Sequence, residues 1–125
     1  MKVAVGLILN SVCEILITRR PFEKQEGGLW EFPGGKLEFG EDGEDALKRE
    51  LFEEVAITVK DPEFLTKIST GQVELLIYKV SNYEGQAKIC EKQLDMRWVK
   101  FEELNQYSFP EANYEIIAYL ECVAA

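Results

Sequence analysis

No histidine occurs anywhere in the 125 residues. That absence removes Ser-His-Asp and Cys-His catalysis, histidine general bases and every histidine-bearing zinc site. Any chemistry must therefore run on carboxylates, Lys, Arg, Tyr or a bound metal. Cysteine is scarce: Cys13, Cys90 and Cys122 are odd in number, widely spaced and without a C-x-x-C pair. This speaks against a disulfide framework or a thiolate metal centre, and it fits a reducing cytosol. Positive charge is in deficit, with 14 Lys and Arg against 23 Asp and Glu and a formal charge of −9. A long nucleic acid needs a basic stripe to displace counterions, so none is expected as a partner. A small polyanion can still bind where a divalent cation or a local basic cluster lies between it and the acidic surface. Long apolar runs are also missing. The stretch inside Met1–Leu9 has seven such residues, far short of the roughly 20 that cross a bilayer, and no small-residue cleavage site follows. It reads as a strand rather than a leader, no membrane partner is expected, and the expected compartment is the cytoplasm.

What is present suffices for one core. The length corresponds to a single domain over 1–125, and 46% hydrophobic residues against 30% charged rule out global disorder. Val3–Leu9 and Cys13–Thr18 are β-rich and separated by the polar Asn10-Ser11, which predicts an antiparallel hairpin. Residues 20–30 carry Pro21, Gly27 and Gly28 without periodicity and predict a long loop of the kind that often serves function. From Gly43 to Val55, Leu47, Leu51 and Val55 recur four residues apart and predict a helix with one apolar stripe. Strands are expected near Ile57–Val59, Phe64–Thr70, Val73–Val80 and Met96–Val99, a helical turn at Phe101–Leu104, and a second helix over about Ala112–Cys122 with Ile116, Ile117 and Leu120 buried. Strands, helix, strands and helix make an α+β sandwich on a mixed sheet.

Chemistry concentrates between Gly34 and Ile57. Over 38–54 eight carboxylates face only Lys48 and Arg49, so six of the nine net negative charges lie in 17 residues. At about 3.6 residues per turn, Glu50, Glu53 and Glu54 share one helix edge beside the apolar stripe. Carboxylates at such spacings repel, more so when partly desolvated, and a hard divalent cation offsets several at once. Mg²⁺ characteristically takes one or two carboxylates together with waters and substrate phosphates. An arbitrary E-x-x-E-E is usually just a solvated helix face. Here it belongs to a longer pattern: Gly35, five residues, Glu41, seven residues, Arg49-Glu50-Leu51, one residue, Glu53-Glu54, one residue, Ala56-Ile57.

This pattern resembles the Nudix box. It departs from the family at Ala56, where the box has Gly, a residue that ends a helix at φ > 0 without cost; Ala there loses roughly 1 kcal/mol or ends the helix differently. VAVGLILN, EILITRR, LWEFPGGK and FPEANYEIIAYL are similar to the MutT branch, which removes oxidised guanine nucleotides, and LWEFPGGK is also similar to branches that hydrolyse CTP and other pyrimidine triphosphates. The resemblance implies a Nudix-type α/β/α sandwich with a mixed β-sheet between helices. It implies Mg²⁺-dependent hydrolysis, with Mn²⁺ as a substitute, of nucleoside triphosphates such as 8-oxo-dGTP to monophosphate and pyrophosphate by water attack on phosphorus. Alternatives are a CTP or broad nucleotide pyrophosphohydrolase and a non-catalytic nucleotide-sensing module.

The same resemblance implies the site. Glu50, Glu53 and Glu54 are the expected metal ligands, with the Gly34 carbonyl. Glu41 and Arg49 orient them. Glu53 is the first choice of general base and Glu91, on the late loop, the second. Arg20 and Lys36 are candidates for the phosphates, with Glu31 beside them in LWEFPGGK. Phe32 offers a wall and backbone contacts, and Asn113 a base-reading amide whose alternative is helix N-capping. Tyr78 and Phe109 read as core aromatics. Gln25 stands where MutT relatives can carry His. The expected partner is a small nucleotide, and the expected state a monomer or weak dimer.

Overall fold

Strand β1 (Lys2–Ile8) is buried over its last five residues, which only a strand covered on both faces can sustain. The computed structural model, which describes residues 1–124, explains how. Ala4 and Ile8 face one hydrophobic cluster together with Leu47, Leu51 and Val55 of helix α1 (Gly43–Val55). Val5 and Leu7 face a second cluster that includes Ile116 of helix α2 (Glu111–Ala124). Alternation along a pleated strand thus assigns each helix its own face of the sheet. The result is the expected sandwich, with β-structure between two helices.

The other strands are β2 (Ile15–Arg19), β3 (Trp30–Glu31), β4 (Gly34–Lys36), β5 (Thr58–Val59), β6 (Glu63–Thr70), β7 (Val73–Val80), β8 (Tyr83–Glu84) and β9 (Asp95–Val99). One sheet has the order β4-β1-β7-β6, a second β3-β2-β9, and β5 pairs with β8. The β1–β7 pairing is parallel and its neighbours are antiparallel, so the sheet is mixed as expected. A 3₁₀ segment, Phe101–Gln106, leads from β9 towards α2.

One expected pairing does not form. β1 and β2 meet only at the bridge Leu9↔Ile15 and then diverge, β1 pairing with β4 and β7 and β2 with β3 and β9. The connecting residues are not a two-residue turn. Asn10 Oδ1 accepts the N–H groups of Val12 and Glu14, and Cys13 sits at φ 61, so the turn is wide. Strand β1 gains more by pairing on both edges inside the sheet than by a hairpin on one.

Helix α1 begins at a capping box: Asp42 Oδ1 accepts the Asp45 N–H at 2.8 Å and Asp45 reaches back to the Asp42 N–H. It lies close to the sheet because the strand beneath is small. A Cβ on Gly6 would come within 2.9 Å of Leu51 Cδ1. The helix ends in the left-handed conformation although the residue there is Ala rather than Gly, with Ala56 at φ 62, ψ 30 donating its N–H to the Phe52 carbonyl. An L-residue with a Cβ pays for that left-handed conformation, so Ala56→Gly is expected to raise stability by about 1 kcal/mol. A denaturant melt with an unchanged or lower midpoint would contradict this.

Candidate active site

The glycines of β4 and the carboxylates of α1 fit one another. Gly34 donates its N–H to Glu54 Oε2 at 3.1 Å. Gly35 has no side chain because there is no room for one: a Cβ would coincide with the Glu50 carboxyl group. The Gly-Gly pair thus seats two of the three helix carboxylates, one by a donor and one by leaving space.

Arg49 supplies the positive charge at this edge. Its Nε and Nη2 grip Glu41 at 2.7 and 2.9 Å, its Nη1 bonds Glu50 Oε1 at 2.8 Å, and Nη2 also donates to the Lys36 carbonyl at 3.1 Å. The paired guanidinium draws the Glu41 carboxyl from its usual range down to about 2, and the carboxylates in turn hold Arg49 protonated beyond its ordinary value. A bidentate fork of this kind fixes geometry as well as charge. Glu53, one turn on, is exposed and stands 3.5 Å from Arg49 Nη1.

Among the described residues no cationic side chain pairs with Glu54. Its residue exposure is only 7%, and burial first, then the neighbouring Glu31 and Glu50, push its carboxyl well above the ordinary carboxylate range. Glu91 adds to the same effect, and the Gly34 N–H opposes it. Glu31 is raised as well, again chiefly by burial, although Arg20 Nη1 bonds its Oε1 at 2.7 Å and works in the other direction. A desolvated carboxylate among three others, answered by one backbone donor, is a poor arrangement for a protein alone and a good one for a cation that prefers hard oxygen ligands. Among the described residues no group of three or more His, Cys, Asp or Glu side chains is arranged so that it could hold a metal ion.

Glu31, Glu50, Glu54 and Glu91 line a cleft of about 770 Å³ together with Gly34 and Arg20, whereas Glu41, Arg49 and Glu53 lie outside its lining; the size is usual for a small-molecule site. The wall bearing Glu91 is tied to the end of α1. Cys90 donates its N–H to the Glu54 carbonyl at 3.1 Å, Gln93 Nε2 reaches the same carbonyl at 3.5 Å, and Gln93 Oε1 accepts the Glu91 N–H at 3.1 Å. The loop after β2 also contributes to the lining, and is closed by Gly28 N–H to the Arg20 carbonyl at 2.9 Å and by Arg20 Nε to the Gln25 carbonyl at 3.0 Å.

Other candidates fall outside this lining. Lys36 is exposed on β4 and engages through its carbonyl rather than its ammonium. Asn113 lies in the first turn of α2, and its Oδ1 accepts the Phe32 N–H at 3.4 Å instead of capping its own helix. Phe32 stacks on Phe109 at 5.4 Å, and both are buried. Tyr78 is buried under α1. Sequence reasoning did not single out Lys24 and Lys92, which line the cleft, or Gln93, which braces Glu91. Their signals were only the length of the first loop and adjacency to Glu91.

Comparison with known proteins agrees with this geometry. The model of the NUDIX domain matches residues 1–120. The 8-oxo-dGTP diphosphatase of Escherichia coli K12 is 38% identical, over 97% of this chain and 96% of its own. The CTP pyrophosphohydrolase of the same organism is 32% identical, over 90% and 86%. A solved MutT structure, from work on Aliivibrio salmonicida and Vibrio cholerae, superposes with a TM-score of 0.86 at 39% identity, covering 95% of this chain and 96% of that one. Glutamates seated on a Gly-Gly strand, the α/β/α sandwich around them and a family match over nearly the whole chain lead to one conclusion: this protein belongs to the Nudix hydrolases and is MutT-like among them.

Proposed function

We propose that the protein is a Mg²⁺-dependent nucleoside triphosphate pyrophosphohydrolase that acts on 8-oxo-dGTP, releasing the monophosphate and pyrophosphate. The observation that carries this reading is the buried, uncompensated Glu54 carboxylate beside Glu50, Glu31 and Glu91. In this reading Glu50, Glu53, Glu54 and the Gly34 carbonyl hold the cation, which Mn²⁺ can replace. When bound, the ion supplies charge neutralisation on the phosphates and a lowered pKa for the attacking water.

The remaining work belongs to the chain. Arg49, fixed on Glu41, keeps Glu50 directed at the site. Glu53 takes the proton of the attacking water as oxygen adds to phosphorus and the bond to the leaving group breaks, with Glu91 as the second candidate. Arg20, positioned by Glu31, faces the phosphates. Lys36 assists from the rim. Asn113 reads the base edge, with Phe32 as wall.

A panel of oxidised and ordinary nucleotides, incubated with Mg²⁺ and assayed for pyrophosphate, tests the reading. Release from 8-oxo-dGTP ahead of dGTP and CTP is expected. Preference for CTP would favour the pyrimidine alternative, and binding of every nucleotide without turnover would favour a sensor. For Asn113→Ala the expected result is a change of preference among bases, since the amide is one donor-acceptor group worth roughly 1–3 kcal/mol to a matched partner. Equal loss of kcat/KM on every nucleotide would instead assign Asn113 to holding Phe32.

A further inference from the structure

We propose that Lys24 and Lys92, contributed by two separate loops, together hold the terminal phosphates of the substrate and the pyrophosphate product. This deepens the function proposed above and rests on it. The cleft is lined by three cationic side chains, Arg20, Lys24 and Lys92. Arg20 is occupied: its Nη1 holds Glu31 at 2.7 Å and its Nε the Gln25 carbonyl at 3.0 Å. Among the described residues neither lysine has a carboxylate within ion-pair distance. Lys36, the basic residue that follows the Gly-Gly pair, is exposed and absent from the lining. The cleft lining therefore includes two lysines that, among the described residues, form no ion pair, in a molecule whose charge is −9.

The two lysines reach one cleft from different loops. Lys24 lies on the loop after β2, in a turn closed by its own N–H to the Pro21 carbonyl at 3.2 Å. Lys92 lies on the loop before β9, held to α1 through Cys90 N–H and to β2 through Leu94 N–H on the Arg19 carbonyl at 2.9 Å. Both loops are braced by backbone hydrogen bonds, while both lysines are exposed. Ammonium groups of this kind act as mobile point charges on phosphate oxygens. They suit the part of the ligand with the highest charge density, the terminal phosphates, and they balance carboxylates that would otherwise repel it.

The test uses inorganic pyrophosphate with Mg²⁺, titrated calorimetrically into the full chain, beside KM for a triphosphate and affinity for the nucleoside monophosphate. Lys24→Ala and Lys92→Ala are each expected to weaken pyrophosphate binding roughly fivefold and to raise KM similarly, the size of about one partly exposed charge contact. Monophosphate affinity stays unchanged, and arginine at either position restores binding. Lys88→Ala, an exposed cation outside the cleft lining, serves as the control for diffuse charge. Unaltered pyrophosphate affinity in both variants overturns this assignment, as does an equal loss in Lys88→Ala or an equal loss of monophosphate binding. A wild-type protein that binds pyrophosphate through both lysines but hydrolyses no triphosphate would reject the proposed function and leave the lysine assignment standing.

Discussion

Glu54→Gln is expected to yield a protein that is more stable and almost inactive. The amide keeps an oxygen for the Gly34 N–H and removes a charge that burial and three neighbouring carboxylates oppose. Relief on the order of 1–2 kcal/mol at neutral pH follows from ending that desolvation. Turnover should fall at least about 100-fold, because a neutral oxygen is a weak partner for a hard cation. The sign of the pH effect is fixed by the direction of the shift. A carboxyl raised in the folded state stabilises fully below its ordinary value of 4.5 and loses that contribution as pH climbs through the raised one. Metal-free wild-type protein should therefore lose stability as pH rises above 4.5, with Glu31 contributing in the same sense, and Glu54→Gln should flatten the decline. Glu41 acts oppositely: its contribution is present above 4.5 and lost as pH falls towards about 2. Thermal melts in chelator across pH measure both arms. A variant less stable than wild type at neutral pH would show that Glu54 is not strained in the metal-free fold.

Glu53→Gln should separate activity from stability in a different way. This side chain is 52% exposed and its nearest cation, Arg49 Nη1, is 3.5 Å away. A surface change of that kind moves stability by less than about 0.5 kcal/mol. If Glu53 both holds the ion and takes the proton, kcat falls roughly 10²- to 10⁴-fold while the melting temperature stays put. Unchanged turnover would transfer the base role to Glu91. The two glutamine variants together thus distinguish a buried ligand, whose loss relieves strain, from an exposed base, whose loss does not.

The contrast shows which parts of the molecule were readable from residue order. Helix α1 was legible over about Gly43 to Val55, because Leu47, Leu51 and Val55 give its period, while its cap at Asp42 was seen only in the structure. Strand β7 was legible for a similar reason: Val73–Val80 is a long β-prone run bounded by Gly71 and Asn82. The short strands β3 and β4 were not, since a two-residue Trp-Glu pair and Gly-Gly-Lys have little intrinsic strand preference and become strands only by pairing with β2 and β1. The same limit produced the false hairpin, because pairing partners are chosen by tertiary burial rather than by a nearby turn.

At the site, helical spacing put Glu50, Glu53 and Glu54 on one edge but said nothing of how deep each sits. Depth comes from β4: Gly34 draws Glu54 inward, and Glu53 has no such donor. Asn113 was legible as a polar residue at the start of α2, yet its bond to Phe32 joins residues 81 apart in the chain, beyond the reach of any local rule. Lys24 and Lys92 were invisible because their common cleft is assembled by two loops that only the fold brings together.

The central claim is that the carboxylates at the end of α1 take up a divalent cation beneath a nucleoside triphosphate. Calorimetric titration of Mg²⁺ into the protein, alone and with a non-hydrolysable triphosphate, measures it directly. Saturable uptake that tightens when the nucleotide is present, and that Glu54→Gln weakens, is the predicted result. No heat of binding in either condition would contradict the account.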